Sequence, residues 1–409
     1  MKYDLVVIGG GAAGMMAALQ ASESGKKVLI LEKNKRLGVK LLLTGGGRCN
    51  LTNNIPDYRL MAKSYGVNGK FLLSALSNFG VLETMDFFES RGVSLKTETS
   101  NKVFPKSNSA NDVLSIFIKG IETSGGEIRA NAEVADFILS KNIIEKIILK
   151  NGEEILANNF LITTGGLSYP ATGSSGDGYR WLKDMGHIIT PLRPALAPII
   201  FRENFISKLE GLSFDNISIT LFLDSNKVAQ EVGAIIFTAS GISGPAALNL
   251  SRFIDFNLGR NFSLSLDFKP EHSKENLDKK LIEIFSDSNK FIKNSLEEVF
   301  PPRLVILFLN LLGIDEKLKA NSLTRLKRQK ILEIIKDFKV NISSILGYDR
   351  AMITVGGVDL REIDSKDMRS KIVSNLFLAG EILDIAGPTG GYNLQAAWST
   401  GFTAGKAIV

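Results

Sequence analysis

The sequence is poor in the residues that most often serve as nucleophiles, proton carriers and metal ligands. Its 409 residues include one cysteine, Cys49, and two histidines, His187 and His272. A single cysteine excludes an intramolecular disulfide, and so few histidines and cysteines form no pattern with metal-ligand spacing. We therefore expect neither a bound metal nor a disulfide framework, which fits a protein of the reducing cytoplasm.

Long hydrophobic runs are also missing. No stretch approaches the roughly 18 uninterrupted apolar residues of a membrane span. The longest candidate, Leu304 to Ile314, is short and contains Asn310. The first residues, "MKYDLVVIGGG", lack the basic and apolar regions of a signal peptide. These absences predict no membrane association and no export, and we expect a cytoplasmic location.

The chain opens instead with a strand, a glycine turn, a helix and a second strand. "YDLVVIG" is the continuous apolar run of a parallel strand, "GGGAAGMMAALQASESG" is a helix of small residues, and "KKVLILE" is the next strand. This order is a βαβ unit. Near the C-terminus, the strand "NLFLAGE" and the helix "YNLQAAWSTGFTAGKAIV" look like parts of the same domain.

We expect the middle of the chain to be inserted into the domain that its two ends form. Proline density rises at Pro191, Pro194 and Pro198, which marks a domain boundary. We expect an α/β fold in which a Rossmann-like domain is assembled from both chain ends, residues 1–190 and 347–409. Residues 191–268 are expected to form an inserted antiparallel, barrel-like β subdomain, and residues 269–346 a basic helical subdomain.

The first glycine turn indicates a dinucleotide site. Gly9, Gly11 and Gly14 form GxGxxG directly after a strand and at the start of a helix, where free amides and the helix dipole favour phosphate. Glu32 follows the second strand, at the position where an acid accepts hydrogen bonds from an adenosine ribose. This acid disfavours a 2'-phosphate but does not separate NAD from FAD.

Two further glycine-rich stretches favour FAD. "NLFLAGEILD" ends a strand at Gly380 and Glu381, and "GGYNLQAAW" opens a helix whose amides suit the edge of a flavin that gains charge on reduction. In "KLLLTGGGRCN", Gly45 to Gly47 allow backbone to lie against a ligand, with Arg48 and Asn50 as polar contacts. We find no second GxGxxG with a following acid, so the sequence predicts one dinucleotide site and no dedicated NAD(P)H domain.

Several ordered motifs resemble one family over nearly the whole chain. They are "VVIGGGAAG", "GVKLLLTGGGRCNLTN", "VFPKSNSANDV", "TTGGLSYPATGSSGDGY", "GISGPAALNLS", "ITVGGVD" and "LAGEILDIAGPTGGYNLQAAWSTG". On these motifs the protein resembles the bacterial YhiN/BaiN-like flavoproteins, which are related more distantly to the fumarate reductase flavoproteins.

The resemblance implies that a set of residues lies along a non-covalently bound FAD. Beyond those named above, the expected contacts are Ala12, Ala13, Lys33, Lys40, Thr44, Val134, Thr164, Gly165, Gly391, Asn393 and Leu394. Val134 matches the position whose backbone meets the adenine.

The resemblance also implies an activity. Members are linked to reduction of activated carbon-carbon double bonds, in bile-acid enones and in a uracil of large-subunit ribosomal RNA. We expect an FAD-dependent oxidoreductase that forms dihydrouridine in 23S ribosomal RNA, with NAD(P)H as a transient reductant. The alternatives are a small-molecule enone reductase, an amine oxidase, or a flavin-bound RNA-binding or assembly factor without turnover.

Such a reduction needs a hydride from reduced flavin and a proton from a positioned acid. The Cys49 thiol is one candidate donor, although a lone cysteine is commonly a small buried hydrophobe. Arg48 either binds the pyrophosphate or stabilises an enolate-like oxygen. Tyr169 either donates from its hydroxyl or packs a glycine-rich loop.

Four other titratable residues complete the set of candidates. Glu381 and Asp384 could act as acids, though the resemblance makes Glu381 a cofactor ligand. We interpret His187 as structural and His272 as exposed.

Positive charge is concentrated in one segment. The chain carries a formal net charge of +6, and the residues from Lys319 to Lys339 hold seven basic side chains against Glu333 and Asp337. A lysine-rich helix face is commonly just solvated, but it also suits a polyanion. Arg325, Lys327 and Arg328 are therefore candidate contacts to ribosomal RNA.

Overall fold

The computed structural model describes residues 2–286 and 289–408. The chain divides into two compact units, which are described separately. Met1–Ala195 with Tyr348–Val409 form the terminal unit, and Leu196–Gly347 form the inserted unit.

The strands of the described residues are numbered in chain order. They are β1 (Lys2–Ile8), β2 (Val28–Leu31), β3 (Thr52–Asn53), β4 (Leu95–Thr97), β5 (Lys102–Pro105), β6 (Glu127–Arg129), β7 (Val134–Ser140), β8 (Ile143–Leu149), β9 (Glu154–Ile162), β10 (Arg193–Ala195), β11 (Ile199–Phe201), β12 (Ser213–Leu223), β13 (Asn226–Thr238), β14 (Gly241–Ser243), β15 (Phe262–Asp267), β16 (Phe338–Ile345), β17 (Ile353–Val355) and β18 (Leu376–Leu378).

The α-helices are numbered in the same way. They are α1 (Ala12–Glu23), α2 (Val39–Leu43), α3 (Tyr58–Lys63), α4 (Leu73–Asn78), α5 (Val81–Ser90), α6 (Ala110–Thr123), α7 (Asp177–Asp184), α8 (Pro245–Ser251), α9 (Lys274–Ser286), α10 (Ile292–Glu297), α11 (Pro302–Leu312), α12 (Arg325–Lys336) and α13 (Tyr392–Lys406).

A parallel sheet organises the terminal unit. Its parallel strands run in the order β6, β2, β1, β9 and β18, and β8 and β7 extend β9 as an antiparallel pair. The chain ends therefore meet in one sheet, because β1 and β18 flank β9 on opposite sides. This confirms the Rossmann-like α/β fold expected from the sequence.

The helix α1 packs closely against the last helix, α13. Ten of the twelve residues of α1 are buried, so the helix is covered nearly all round. A Cβ on Gly401 or Gly405 of α13 would lie 2.4 Å from the carbonyl oxygens of Ala13 or Ala17. Only glycine therefore allows this approach, and the glycines of α13 join the two ends of the chain.

The inserted unit is built around a closed barrel. Its antiparallel strands follow the order β11, β14, β13, β12, β15 and β16. Alternate residues of β15 are buried, as expected for a strand with one face toward a core. Leucine, isoleucine and phenylalanine side chains of the helices α9 to α12 belong to the same buried cluster as the barrel interior.

Two boundaries differ from the sequence-based ones. The strand β16 lies within residues 269–346, which we expected to be helical, and it closes the barrel beside β15. The alternation of buried and exposed residues begins at Phe338, two residues after the end of α12. In the sequence alone, so short a pattern is easily taken for a continuation of the helix. The strand β10, expected in the inserted β subdomain, pairs with β17 in the terminal unit.

No helix in residues 2–286 or 289–408 is long and apolar enough to cross a membrane.

Candidate active site

The first glycine turn combines tight packing with an open face. Gly9 adopts a φ of +105°, and a Cβ on Gly14 would lie 2.1 Å from the Gly9 carbonyl oxygen. By contrast, a Cβ on Gly11 would meet no atom within 4 Å. Gly11 precedes α1 without a side-chain cap, so the first amides of this helix remain available. The turn is therefore tightly packed on the side of β1, whereas its other side leaves space for a ligand.

Glu32 is fixed beside this turn. Its side chain is almost fully buried, and its Oε2 accepts a hydrogen bond from the Gly10 N–H at 2.9 Å. Its Oε1 accepts bonds of 2.8 Å from both the backbone and the side-chain nitrogen of Asn34. A carboxylate has about four acceptor positions, so Glu32 can still accept bonds from ribose hydroxyls.

The second glycine stretch forms a 3₁₀ turn at Thr44–Gly47. Gly45, Gly46 and Gly47 all have positive φ and are exposed. A Cβ on Gly45 would lie 2.9 Å from the Asn50 nitrogen, whereas one on Gly46 would meet nothing within 4 Å. Like Gly11, Gly46 leaves a face on which a flat ligand can approach the backbone.

Arg48 is held by its neighbours. Its guanidinium lies 4.0 Å from the centre of the Phe104 ring, and Nη1 forms an ion pair of 3.0 Å with Glu98. The side chain remains partly exposed. Arg48 is therefore oriented beside the glycine turn with part of its donor set already used.

Cys49 lies in the hydrophobic core of the terminal unit. None of its surface is exposed, and burial raises the pKa of its thiol to about 12. The structure does not support the prediction that Cys49 donates a proton, because a fully covered thiol cannot contact a substrate. The alternative interpretation, a small buried hydrophobe, fits the geometry. Its φ of +61° shows that the turn forces this residue into a left-handed conformation.

The third stretch places the N-terminus of α13 beside the second. Gly391 precedes the helix with a φ of +99°, and its Cβ would lie 2.4 Å from the Thr52 carbonyl. When the side-chain amide of Asn50 is rotated so that its oxygen faces a donor, this oxygen accepts a hydrogen bond from the Gly391 N–H at 3.1 Å. "TGGGRCN" and "GGYN", far apart in sequence, thus form one continuous backbone surface.

Three predicted cofactor contacts differ in how their side chains are engaged. The side chain of Asn393 is bonded to its own loop, accepting from Gly387 N–H at 2.8 Å and donating to the carbonyls of Gly387 and Pro388. The Thr164 hydroxyl is buried without a hydrogen-bond partner among the described residues, and a Cβ on Gly178 would lie 2.2 Å from it. The Val134 side chain is buried. Asn393 therefore already supports its own loop, whereas the Thr164 hydroxyl keeps an unused hydrogen-bonding group.

Lys40 and Glu381 are paired with each other. Lys40 Nζ lies 2.7 Å from Glu381 Oε2, and Glu381 Oε1 accepts from Ser168 Oγ at 2.8 Å and Thr354 N–H at 2.9 Å. Lys33 likewise pairs with Asp177 at 2.7 Å. These ion pairs tie the strand-end loops together, a role that the sequence alone did not indicate.

Tyr169 is held in a strained conformation. Its φ is +52°, and its N–H donates to the Tyr348 carbonyl at 2.9 Å. Its hydroxyl has no hydrogen-bond partner among the described residues. A strained, half-buried tyrosine with a free hydroxyl is suited to bind a ligand group.

His187 is structural, as the sequence predicted. Its ring lies between Glu362 Oε2 and Ser370 Oγ, each 3.0 Å away, and it is almost fully buried. Burial lowers the pKa of His187 although Glu362 opposes this effect. The Ser370 oxygen also accepts from two backbone N–H groups, so this network is a turn support.

The candidate RNA contacts lie on α12 in the inserted unit. Arg328 is bonded to Asp278 at 2.8 and 3.3 Å, and Lys336 pairs with Asp267 at 2.5 Å. Arg325 is exposed and Lys327 is half-exposed, with no ion-pair partner among the described residues. The local excess of positive charge is therefore smaller than the segment suggests, because the neutralising acids come from distant segments.

The described residues contain no group of three His, Cys, Asp or Glu side chains arranged to hold a metal ion. The donor set fits a dinucleotide instead. The glycine turns and the N-termini of α1 and α13 lie at the carboxyl ends of parallel strands, the usual ligand position in such sheets. Gly11 and Gly46 each leave an open backbone face, and Glu32 lies beside the first glycine turn.

Fold and site together define a Rossmann-type dinucleotide-binding protein. The family described as "HI0933-like protein Rossmann domain" matches residues 3–407. The chain therefore belongs to the HI0933-like family of flavin-dependent oxidoreductases, as the resemblance stated above implied.

Curated relatives match over their full length. The chain is similar to "3-dehydro-bile acid delta(4,6)-reductase" of Clostridium scindens, with 32% identity over 408 residues and 98% of each chain covered. It is also similar to "Ribosomal RNA dihydrouridine synthase" of Escherichia coli, with 28% identity over 414 residues, covering 100% of this chain and 98% of that protein.

Among solved structures, the 3-ketosteroid-delta4-(5alpha)-dehydrogenase of Rhodococcus jostii RHA1 has the same fold. The TM-score is 0.55 at 13% identity, covering 100% of this chain and 96% of that one. An open flavocytochrome c3 fumarate reductase gives 0.52 at 13% identity, with 100% and 78% covered.

Proposed function

We propose that the protein binds FAD and reduces a carbon-carbon double bond conjugated to a carbonyl. The observation that carries this proposal is the joined backbone surface of the Thr44–Gly47 turn and the N-terminus of α13, together with the first glycine turn beside Glu32. Both kinds of full-length relative are named for reactions on such bonds, since a bile-acid delta(4,6) double bond and the uracil double bond are each conjugated to a carbonyl.

The chain's own groups hold and orient the reactants in this proposal. The amides of α1 bind the pyrophosphate, Glu32 accepts from the adenosine ribose, and the α13 N-terminus stabilises charge at the flavin. Arg48 adds a cation beside the pyrophosphate, and the free hydroxyl of Tyr169 binds the substrate carbonyl. Reduced FAD supplies the hydride when bound, and NAD(P)H is the proposed transient reductant.

Our favoured substrate is a uracil of 23S ribosomal RNA, converted to dihydrouridine in the cytoplasm. Two full-length relatives, from Escherichia coli and Haemophilus influenzae, carry the name ribosomal RNA dihydrouridine synthase at 28% identity. The exposed cations Arg325 and Lys330 and the half-exposed Lys327 on α12 support an RNA partner.

A small-molecule enone is the second candidate. The bile-acid reductase relative shares 32% identity over the full chain. Within the inserted unit, Arg328 and Lys336 are neutralised by Asp278 and Asp267, which weakens the electrostatic argument for RNA.

Anaerobic stopped-flow mixing tests the reaction and separates the substrates. The FAD-loaded protein is reduced by dithionite and mixed with ribosomal RNA from a strain lacking the gene, with a 3-keto-4-ene steroid, or with 2-cyclohexen-1-one. We expect flavin reoxidation by RNA, with dihydrouridine detected by mass spectrometry. Flavin reoxidation by the enones but not by RNA would favour the second candidate, a small-molecule enone. Flavin reoxidation by oxygen only, or reduction of the oxidised flavin by an amine, would contradict it.

A further inference from the structure

A lysine beside the N-terminus of α13 carries a charge that the protein does not balance by contact. Lys102, the first residue of β5, is half-buried, and its side chain forms no hydrogen bond or ion pair with any described residue. Glu98, four residues earlier, is already shared by Lys96 and Arg48, at 2.9 and 3.0 Å. Charged groups that leave water are normally paired. The free ammonium of Lys102 is therefore suited to an anionic ligand group.

The stem of Lys102 lies along the glycine loop that opens α13. A Cβ on Gly390 would lie 3.7 Å from Lys102 Cε and 3.8 Å from its Cγ. The ammonium nitrogen is bonded directly to Cε, so it lies beside this loop as well. Gly390 has a φ of +107° and precedes Gly391, the N-cap of α13. Lys102 thus adds a full positive charge where the helix already presents free amides and a partial positive charge.

The backbone around Lys102 is tied to the same loop. Asn53 pairs with Lys102 across β3 and β5, and its Nδ2 donates to the carbonyls of Gly390 and Ser100 at 3.1 Å each. Ser100 and Asn101, directly before Lys102, have left-handed φ values of +60° and +59°. Such conformations persist only where the surrounding structure enforces them. Asn53 therefore joins the strained turn that leads into Lys102 to the loop that opens α13.

We propose that Lys102 contacts the flavin and that its ammonium balances the negative charge that the flavin gains on reduction. This inference rests on the proposed function, and specifically on FAD binding at this surface. Uptake of two electrons and one proton leaves one negative charge, spread over the N1 and C2-carbonyl edge that the α13 N-terminus is proposed to meet. Lys102 keeps its own proton and acts through its charge. It stabilises the reduced cofactor more than the oxidised one, and it therefore raises the flavin potential.

The test compares Lys102→Met and Lys102→Arg with wild type in the FAD-loaded protein. Methionine keeps an unbranched stem without the charge, whereas arginine keeps the charge. Sulfite adds to the oxidised flavin and leaves negative charge at the same edge, so its affinity reports a nearby cation. We expect Lys102→Met to weaken sulfite binding about tenfold or more, because Coulomb attraction is strong in a half-buried site. The two-electron potential should fall by about 30 mV for each factor of ten, and Lys102→Arg should retain most of both.

Acetylation of lysines tests the contact without turnover. Protein with and without FAD is treated with acetic anhydride and digested, and mass spectrometry measures the acetylated fraction of each lysine. Bound FAD should protect Lys102. The matched control is Lys106, exposed directly after β5, which should be acetylated equally in both forms. Lys106→Met should likewise keep the wild-type potential and sulfite affinity.

The outcomes separate the inference from the proposed function. Wild-type potential and sulfite affinity in Lys102→Met would overturn the inference and leave the function standing. Weaker FAD binding at an unchanged potential would also overturn it, because the ammonium would then act on the pyrophosphate. If Lys102→Met fails to fold, acetylation of the wild-type protein decides, and equal labelling of Lys102 with and without FAD contradicts the proposal. A wild-type protein that binds no FAD would overturn both.

Discussion

Burial decides what Cys49 can do. The thiol is completely covered and its neighbours are core residues. We expect Cys49→Ala to bind FAD and to keep the single-turnover rate of flavin reoxidation, while losing about 1–2 kcal/mol of stability through the small cavity. Native protein should also resist thiol reagents, and urea should expose the group. A rate loss above tenfold at unchanged FAD content would restore Cys49 as a proton donor.

The buried His187 makes stability depend on pH. Its folded-state pKa is lowered, so between the unfolded value near 6.5 and the folded value the unfolded chain binds more protons. Stability is therefore expected to fall as pH drops below about 6.5. Urea unfolding at pH 7.5 and 5.5 measures this loss. In His187→Gln we expect lower stability at pH 7.5 and a smaller loss on acidification. An equal loss in both proteins would assign the effect to other groups.

Single residues also mark the limit of sequence reasoning. A local motif is enough to predict the roles of Gly9, Gly11, Gly14 and Glu32, because the pattern that defines them lies in one short segment. The partners of Glu381 were not predicted, since Lys40, Ser168 and Thr354 belong to three segments without a shared pattern. Local spacing records local geometry, whereas contacts between distant segments depend on the whole tertiary structure.

Among elements, the first turn and α1 allow a matched test of two glycines. Gly14→Ala places a Cβ 2.1 Å from the Gly9 carbonyl oxygen, so helix and strand must separate. We expect a loss of about 3 kcal/mol or more and no bound FAD. Gly11→Ala meets no atom within 4 Å, so the fold should remain while FAD affinity falls. Unfolding curves and the flavin absorbance of the purified variants measure both. A folded Gly11→Ala variant with wild-type FAD content would contradict this assignment of the open face.

Some cationic side chains of α12 form ion pairs within the inserted unit, and others are exposed to solvent. Replacing Arg325 and Lys327 together by glutamine should leave the unfolding midpoint unchanged. It should also weaken RNA binding and lower the slope of log affinity against log salt by about 2. Arg328→Gln should instead destabilise the inserted unit, because it leaves Asp278 without its partner at 25% exposure. Filter binding at several salt concentrations tests this, and an unchanged slope would remove α12 from the RNA surface.

At the scale of the whole molecule, the sequence predicted the architecture better than its boundaries. The apolar runs of β1 and β18 and the glycine-rich final helix indicated a sheet made from both chain ends, and β18 does pair with β9. The strand β16 was missed because only six of its residues alternate in burial and a single residue separates it from α12. Proline marked the crossing near residue 195 only roughly, since a proline-rich strand, β10, still belongs to the terminal unit.

The packing of α1 against α13 has a consequence for synthesis on the ribosome. The two helices sit at opposite ends of a 409-residue chain and touch through Gly401 and Gly405. At about 5–20 residues per second, tens of seconds pass between their emergence. During that interval α1 waits with part of its apolar surface uncovered, while the contiguous barrel can fold. The face of α1 that packs against Gly401 and Gly405 therefore stays uncovered until α13 has left the ribosome.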